Sequence, residues 1–158
     1  MNGVLTSVVA ISGTLAGSTL TYLLGLLNTR RTERTARDER LRQERIAAYV
    51  AFAEAMTELR QGVIAKWFLK QRSAPDEEMR AAHTESDKRG ATADHARLRI
   101  QMLTDDSEIL RLVDATFEPI EALHRAPDLA AVKQHEERSQ ETLSVFIRTA
   151  GRQVRGLP

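Results

Sequence analysis

Glu121 and His124 stand three residues apart in "FEPIEALH", a spacing that on a helix puts both side chains on one face. Carboxylate-bridged di-iron bundles use that Glu-x-x-His pattern, but they need it twice, together with two further buried glutamates. The chain holds no second copy, so the pair reads as solvent-facing near a helix end. "HEER" at 135–138 starts like a zinc-protease helix, yet arginine stands where the pattern continues and the second histidine is missing. His83, His95 and His135 are each isolated among charged residues and read as surface groups. There is no cysteine, which excludes disulfides, thiolate metal sites and cysteine nucleophiles. No phosphate-binding glycine loop or serine elbow occurs either. The sequence therefore predicts no catalytic residue, no metal and no cofactor, and a protein that is not an enzyme.

The elements that would carry any site are helical. Only 4 Pro and 8 Gly occur in 158 residues, and Ala, Leu, Arg and Glu dominate, a composition for long helices. The formal charge of +1 hides a polarity along the chain. Residues 1–29 carry no charged side chain, whereas residues 30–45 carry seven Arg against Glu33, Asp38, Glu39 and Glu44.

The uncharged stretch from Gly3 to Leu27 is 25 residues, as a helix roughly 37 Å against a hydrocarbon core of about 30 Å. A cleaved signal peptide would require a basic leader and a shorter apolar centre. The reading is thus a transmembrane anchor over 1–29. The arginines after it predict an N-terminus outside and the rest cytoplasmic, at the inner (plasma) membrane. Gly13, Gly17, Thr21 and Gly25 recur every four residues, a ladder of small groups for transmembrane helix packing. Arg30, Arg31 and Arg34 are the expected contacts to anionic lipid head groups. Further along residues 30–45, the pairs Glu33–Arg37 and Asp38–Arg42 at i,i+4 describe a solvated helix, not a nucleic-acid patch.

That uncharged glycine-containing span, the arginine-and-acid run and the stretch Arg45-Ile46-Ala47-Ala48-Tyr49-Val50-Ala51-Phe52 together resemble a group of uncharacterised actinobacterial single-pass membrane proteins. The resemblance covers residues 10–60. It implies a cytoplasmic helical domain opening at the tyrosine stretch, and it brings no activity or site residues.

From Ile46 the apolar residues become periodic. Tyr49, Phe52, Met56, Leu59 and Val63 alternate at three and four, predicting one helix to about Arg72. Ser73-Ala74-Pro75 ends it, and Asp76, Glu77 and Glu78 suit the next first turn. Met79, Ala82, Ser86, Ala93, Ala96, Ile100 and Leu103 form a thin second stripe with Gly90 as a kink or joint. Ile109 to Leu123 predicts a third helix kinked by Pro119, and Leu129, Val132, Leu143, Phe146 and Ala150 a fourth. Arg148, Arg152 and Arg155 make a basic strip near its end.

The predicted fold is all-α: an antiparallel bundle of about four helices over 46–150, the first one long, with a flexible tail at 151–158. Pairing of the first helix with copies of itself as a coiled coil is the alternative, although Tyr49 to Val63 spans barely two heptads. The function this suggests is a scaffold or adaptor docking a partner, either another protein or a second copy, with Trp67 and Phe68 as the binding patch. A pore-forming or membrane-disrupting effector assembled through the glycine ladder is the alternative. No nucleic acid and no small-molecule substrate is expected.

Overall fold

Long runs of Ala, Arg and Glu unbroken by proline yield a 70-residue helix, α1 (Asn2–Gln71), in the computed structural model. The structure describes the backbone of residues 2–156 and the side chains of residues 36–156. Four further helices follow: α2 (Asp76–Leu103), α3 (Ser107–Ala115), α4 (Phe117–His124) and α5 (Leu129–Val154). No strand occurs among the described residues. The chain divides into two units, Met1–Leu41 and Arg42–Pro158. The described side chains of the first, from Ala36 to Leu41, are exposed. Among the described residues, every buried one belongs to the second.

The expected membrane placement is corrected. Among the described residues no helix is long and apolar enough to cross a membrane, which overturns the single-pass, inner-membrane localisation. The described part of α1 opens with Arg37, Asp38, Glu39, Arg40 and Arg42, too many charges in too few turns for a hydrocarbon environment. Gly13, Gly17, Thr21 and Gly25, and Arg30, Arg31 and Arg34, lie outside the residues whose side chains are described.

Within Arg42–Pro158 the helices form around one core. The α1 stripe Tyr49, Phe52, Met56, Leu59 and Val63 is buried along its whole length. Phe52 meets Phe146 of α5 edge-on at 5.1 Å between centroids, and Tyr49 meets the same ring at 5.8 Å. Such edge-to-face pairs add about 1 kcal/mol each beyond the area they bury. From α2 only Ser86, Ala93 and Ile100 are fully buried, as its thin stripe suggests. At Gly90 α2 is unbroken.

Pro119 does more than kink its helix. Proline has no N–H to donate, and its ring crowds the carbonyl four residues back, here that of Ala115. Ala115 is the last residue of α3, and α4 begins at Phe117. Thr116 between them is buried, and its hydroxyl donates to the Val113 carbonyl at 2.7 Å. One expected helix is therefore two.

Caps fix the other ends. Asp106 accepts from the backbone N–H of Glu108 and Ile109 at the start of α3. Asp128 accepts from Ala131 at the start of α5. At the α1–α2 turn Ser73 takes a φ of 50°, and the Arg72 guanidinium bonds Glu78 at 2.5 Å. The helix α5 continues past Ala150 to Val154, through residues expected to form a flexible tail. Its last turn is held from α1: the Arg42 side chain donates to the Val154 carbonyl at 2.7 Å, and the Tyr49 hydroxyl to Gln153 at 2.5 Å. Leu129, expected on the buried stripe of α5, is instead exposed at its first turn.

Candidate functional site

The groups with reactive chemistry do not converge. Glu121 and His124 sit on one face of α4, but the Glu121 carboxylate lies 3.8 Å from the Arg125 guanidinium. Among the described residues no three His, Cys, Asp or Glu side chains stand close enough to share a metal ion. His83 and His95 are exposed, as their charged surroundings suggest; His135 is half-buried.

One shallow cavity of about 330 Å³ does bring His83 and His124 together, over Val63, Trp67 and Met79, with Lys66 and Lys70 beside them. The proton affinity of His124 is depressed, mainly because its ring is partly desolvated and secondly because Lys66 repels its cationic form; Glu121 opposes both. No carboxylate lines this cavity, so it assembles no acid–base pair of carboxylate and imidazole.

A larger concavity lies elsewhere, along α1 and α5. The two helices run antiparallel, since Tyr49 meets Gln153 while Phe52 meets Phe146. Between them an open groove of about 590 Å³ extends from Ile46 to Gln61 on one wall and from Leu143 to Val154 on the other. Its floor is apolar: Tyr49, Ala53, Phe146 and Ala150 close it against the core, and Val50 and Ile147 stand at its edges, each about half exposed at 51% and 50%. Glu54 and Glu58 are the only charged residues in its lining, both on the α1 wall. On the α5 side Arg155 folds its guanidinium over the backbone of Gly151.

Elsewhere on α1 lie Trp67 and Phe68, the expected binding patch. The Trp67 indole N–H donates to the Ala126 carbonyl at 2.9 Å and its ring is partly buried against the core. Phe68 stacks edge-on against it at 5.1 Å and remains 48% exposed. The open apolar surface along the middle of α1 thus belongs to the Val50 face. Isolated apolar residues on charged helices give little signal in a sequence. Val50 and Ile147 acquire meaning only when α1 and α5 are known to be neighbours.

Residues 46–154, which contain both walls of the groove and every helix from α2 to α5, match the sequence model of a family described as KilB plasmid transfer protein. No curated protein and no solved structure matches the chain.

Proposed function

The chain belongs to the KilB plasmid transfer protein family, and from that premise we propose that it serves plasmid transfer as a non-enzymatic docking module whose α1–α5 groove receives an apolar helix face of a protein partner. The observation that carries this reading is the groove itself. It is open, apolar along its floor, and walled by two antiparallel helices, the form in which an amphipathic helix is received. Its polar lining, Glu54, Thr57, Glu58 and Gln61, is confined to the α1 wall, and the α5 wall is apolar throughout. Half-exposed Val50 and Ile147 leave apolar area in water that a docked helix would cover.

The test is plasmid transfer itself. Val50→Asp and Ile147→Asp each place a charge in the groove at a position the core does not use, so folding should survive. Transfer frequency should fall at least about tenfold, the effect of roughly 1.4 kcal/mol lost at an interface. Normal transfer by both variants, with helicity and melting unchanged, would remove the groove from the function.

A further inference from the structure

The geometry points to the cavity at the corner of α1, α2 and α4 as a binding site for a small organic phosphate, a monoester whose dianion sits among Lys66, Lys70, His83 and His124 and whose apolar body covers the Trp67 ring. The site is separate from the α1–α5 groove, with which it shares no lining residue.

The first observation is a concentration of one sign of charge. Two lysines of α1, one histidine of α2 and one of α4 open on the same cavity of about 330 Å³, and no carboxylate lines it. Among the described residues none of the four makes a salt bridge. For the protein alone this clustering is unfavourable. Lys66 and Lys70 stand at i,i+4 on one helix, where like charges repel. Desolvation first and Lys66 second lower the proton affinity of His124. Glu121 and Asp87 act against this and Arg125 with it, but all three stay outside the lining, and Glu121 faces Arg125 at 3.8 Å. Complementing a helix end accounts for Lys70 and His124, which stand in the last turns of α1 and α4. Lys66 and His83 lie outside those turns and need another reason to face the cavity.

The chemistry of the lining selects the ligand. Lysine acts on an anion as a point charge, and no arginine lines the cavity to hold a carboxylate by two parallel bonds. A phosphate monoester carries about −1.5 to −2 at pH 7, which two lysines balance. Val63, Trp67 and Met79 make the rest of the lining apolar, a surface that inorganic phosphate would leave uncovered. The Trp67 N–H is already given to the Ala126 carbonyl, so the indole offers a ligand its ring alone. The volume lies at the lower end of the range for small-molecule sites, roughly 300–1,000 Å³.

The test uses the full chain with phenyl phosphate as the probe. Trp67 is the one tryptophan in the sequence, so tryptophan emission reports on this cavity alone. Phenyl phosphate should change that emission saturably, with a dissociation constant of about 1 mM or tighter. The C2 proton of His124, followed by NMR, should titrate at a higher pH with the probe present, because a bound dianion favours the imidazolium. At constant ionic strength phenyl sulfate, of the same shape with a single charge, should bind about tenfold more weakly, and so should inorganic phosphate. Lys66→Gln and Lys70→Gln should each raise the dissociation constant for phenyl phosphate about tenfold; neither side chain is buried, so folding survives. Lys133→Gln, outside the lining, should change it less than about twofold. Silence of both the emission and the His124 titration up to about 10 mM phenyl phosphate would overturn the site. Equal binding of phenyl sulfate, indifference to both cavity lysines, or an equal loss in Lys133→Gln would do the same. Vesicles of phosphatidylcholine and phosphatidic acid present the same phosphate monoester at a bilayer surface. If they move the emission where phenyl phosphate does not, the ligand is a lipid and the small-molecule assignment falls.

Discussion

The Tyr49 hydroxyl donates to Gln153 Oε1 at 2.5 Å, and the amide nitrogen of the same Gln153 reaches Asp106 Oδ2 at 3.0 Å and the Thr104 hydroxyl at 3.4 Å. A single glutamine thus ties α1 and α5 to the turn between α2 and α3. Beside it the Arg45 side chain donates to the Leu103 carbonyl at 2.7 Å, closing the C-terminus of α2. Tyr49→Phe removes one member of this network and leaves Gln153 Oε1 without its donor, a cost of about 1–2 kcal/mol read in urea melts. Desolvation raises the Tyr49 pKa above its ordinary 10.0, against weaker contrary effects of Thr104 and Arg45. The unfolded chain therefore loses this proton first, and the stabilisation is present below pH 10 and lost above it. The parent should lose stability more steeply than Tyr49→Phe as pH rises beyond about 10.

Phe52 carries the core. It is fully buried, with Phe146 at 5.1 Å and Phe117 at 6.1 Å between centroids, and so joins α1, α4 and α5. Phe52→Ala should cost about 3–5 kcal/mol, the range for removing a buried aromatic. Loss of near-ultraviolet ellipticity and an earlier urea midpoint would register it; a cost under about 1 kcal/mol would mean that the site collapses freely.

His124 supplies an acid-side dependence. Its folded pKa lies below the ordinary 6.5, so below that value the unfolded chain takes up the proton more readily and stability falls as pH falls. His124→Gln should flatten the dependence of melting temperature on pH between about 7.5 and 5.5 relative to the parent. Lys66 and Arg125 oppose the cation of His124, and Glu121 and Asp87 favour it.

Gly90 tests whether α2 needs its glycine. It lies inside the helix, and a Cβ added there would meet nothing within 4 Å. Gly90→Ala should therefore stabilise by about 0.5–1 kcal/mol through helix propensity, measured as a higher urea midpoint. At Gly62 the Arg89 side chain stands 3.0 Å from an added Cβ, and its guanidinium donates to the Glu58 carbonyl. Gly62→Ala should stabilise less or not at all.

The positions that the sequence reveals and those that it hides differ in kind. Periodicity marks Tyr49, Phe52, Met56, Leu59 and Val63, and all five are buried, because a helix of fixed pitch converts spacing into a face. Pro119 marks a disturbance, but the place where the helix gives way, at Thr116, depends on the crowded carbonyl four residues earlier. Local composition predicts a kink or joint at Gly90, yet α2 is unbroken there, with Ser86 and Ala93 buried on either side. Taken with its neighbours alone, the last turn of α5 should fray; Tyr49 and Arg42, more than 100 residues earlier, hold it. The groove is hidden for the same reason. Its walls lie about 100 residues apart in the chain, and no local pattern announces that they meet.

The two ends of the helical unit are fastened unequally, and this sets an order of opening. At one end Tyr49, Gln153, Thr104, Asp106 and Arg45 bind three helices and a turn into a shared set of hydrogen bonds. At the other, the corner between α4 and α5 is held to α1 by the Trp67 indole on the Ala126 carbonyl. Amide protons of α4 and of the first turns of α5 should therefore exchange with solvent through local fluctuations of low free energy, while those around Tyr49 wait for global unfolding. The groove of α1 and α5 begins at the slow-exchanging end, so its walls keep their spacing while the far corner breathes.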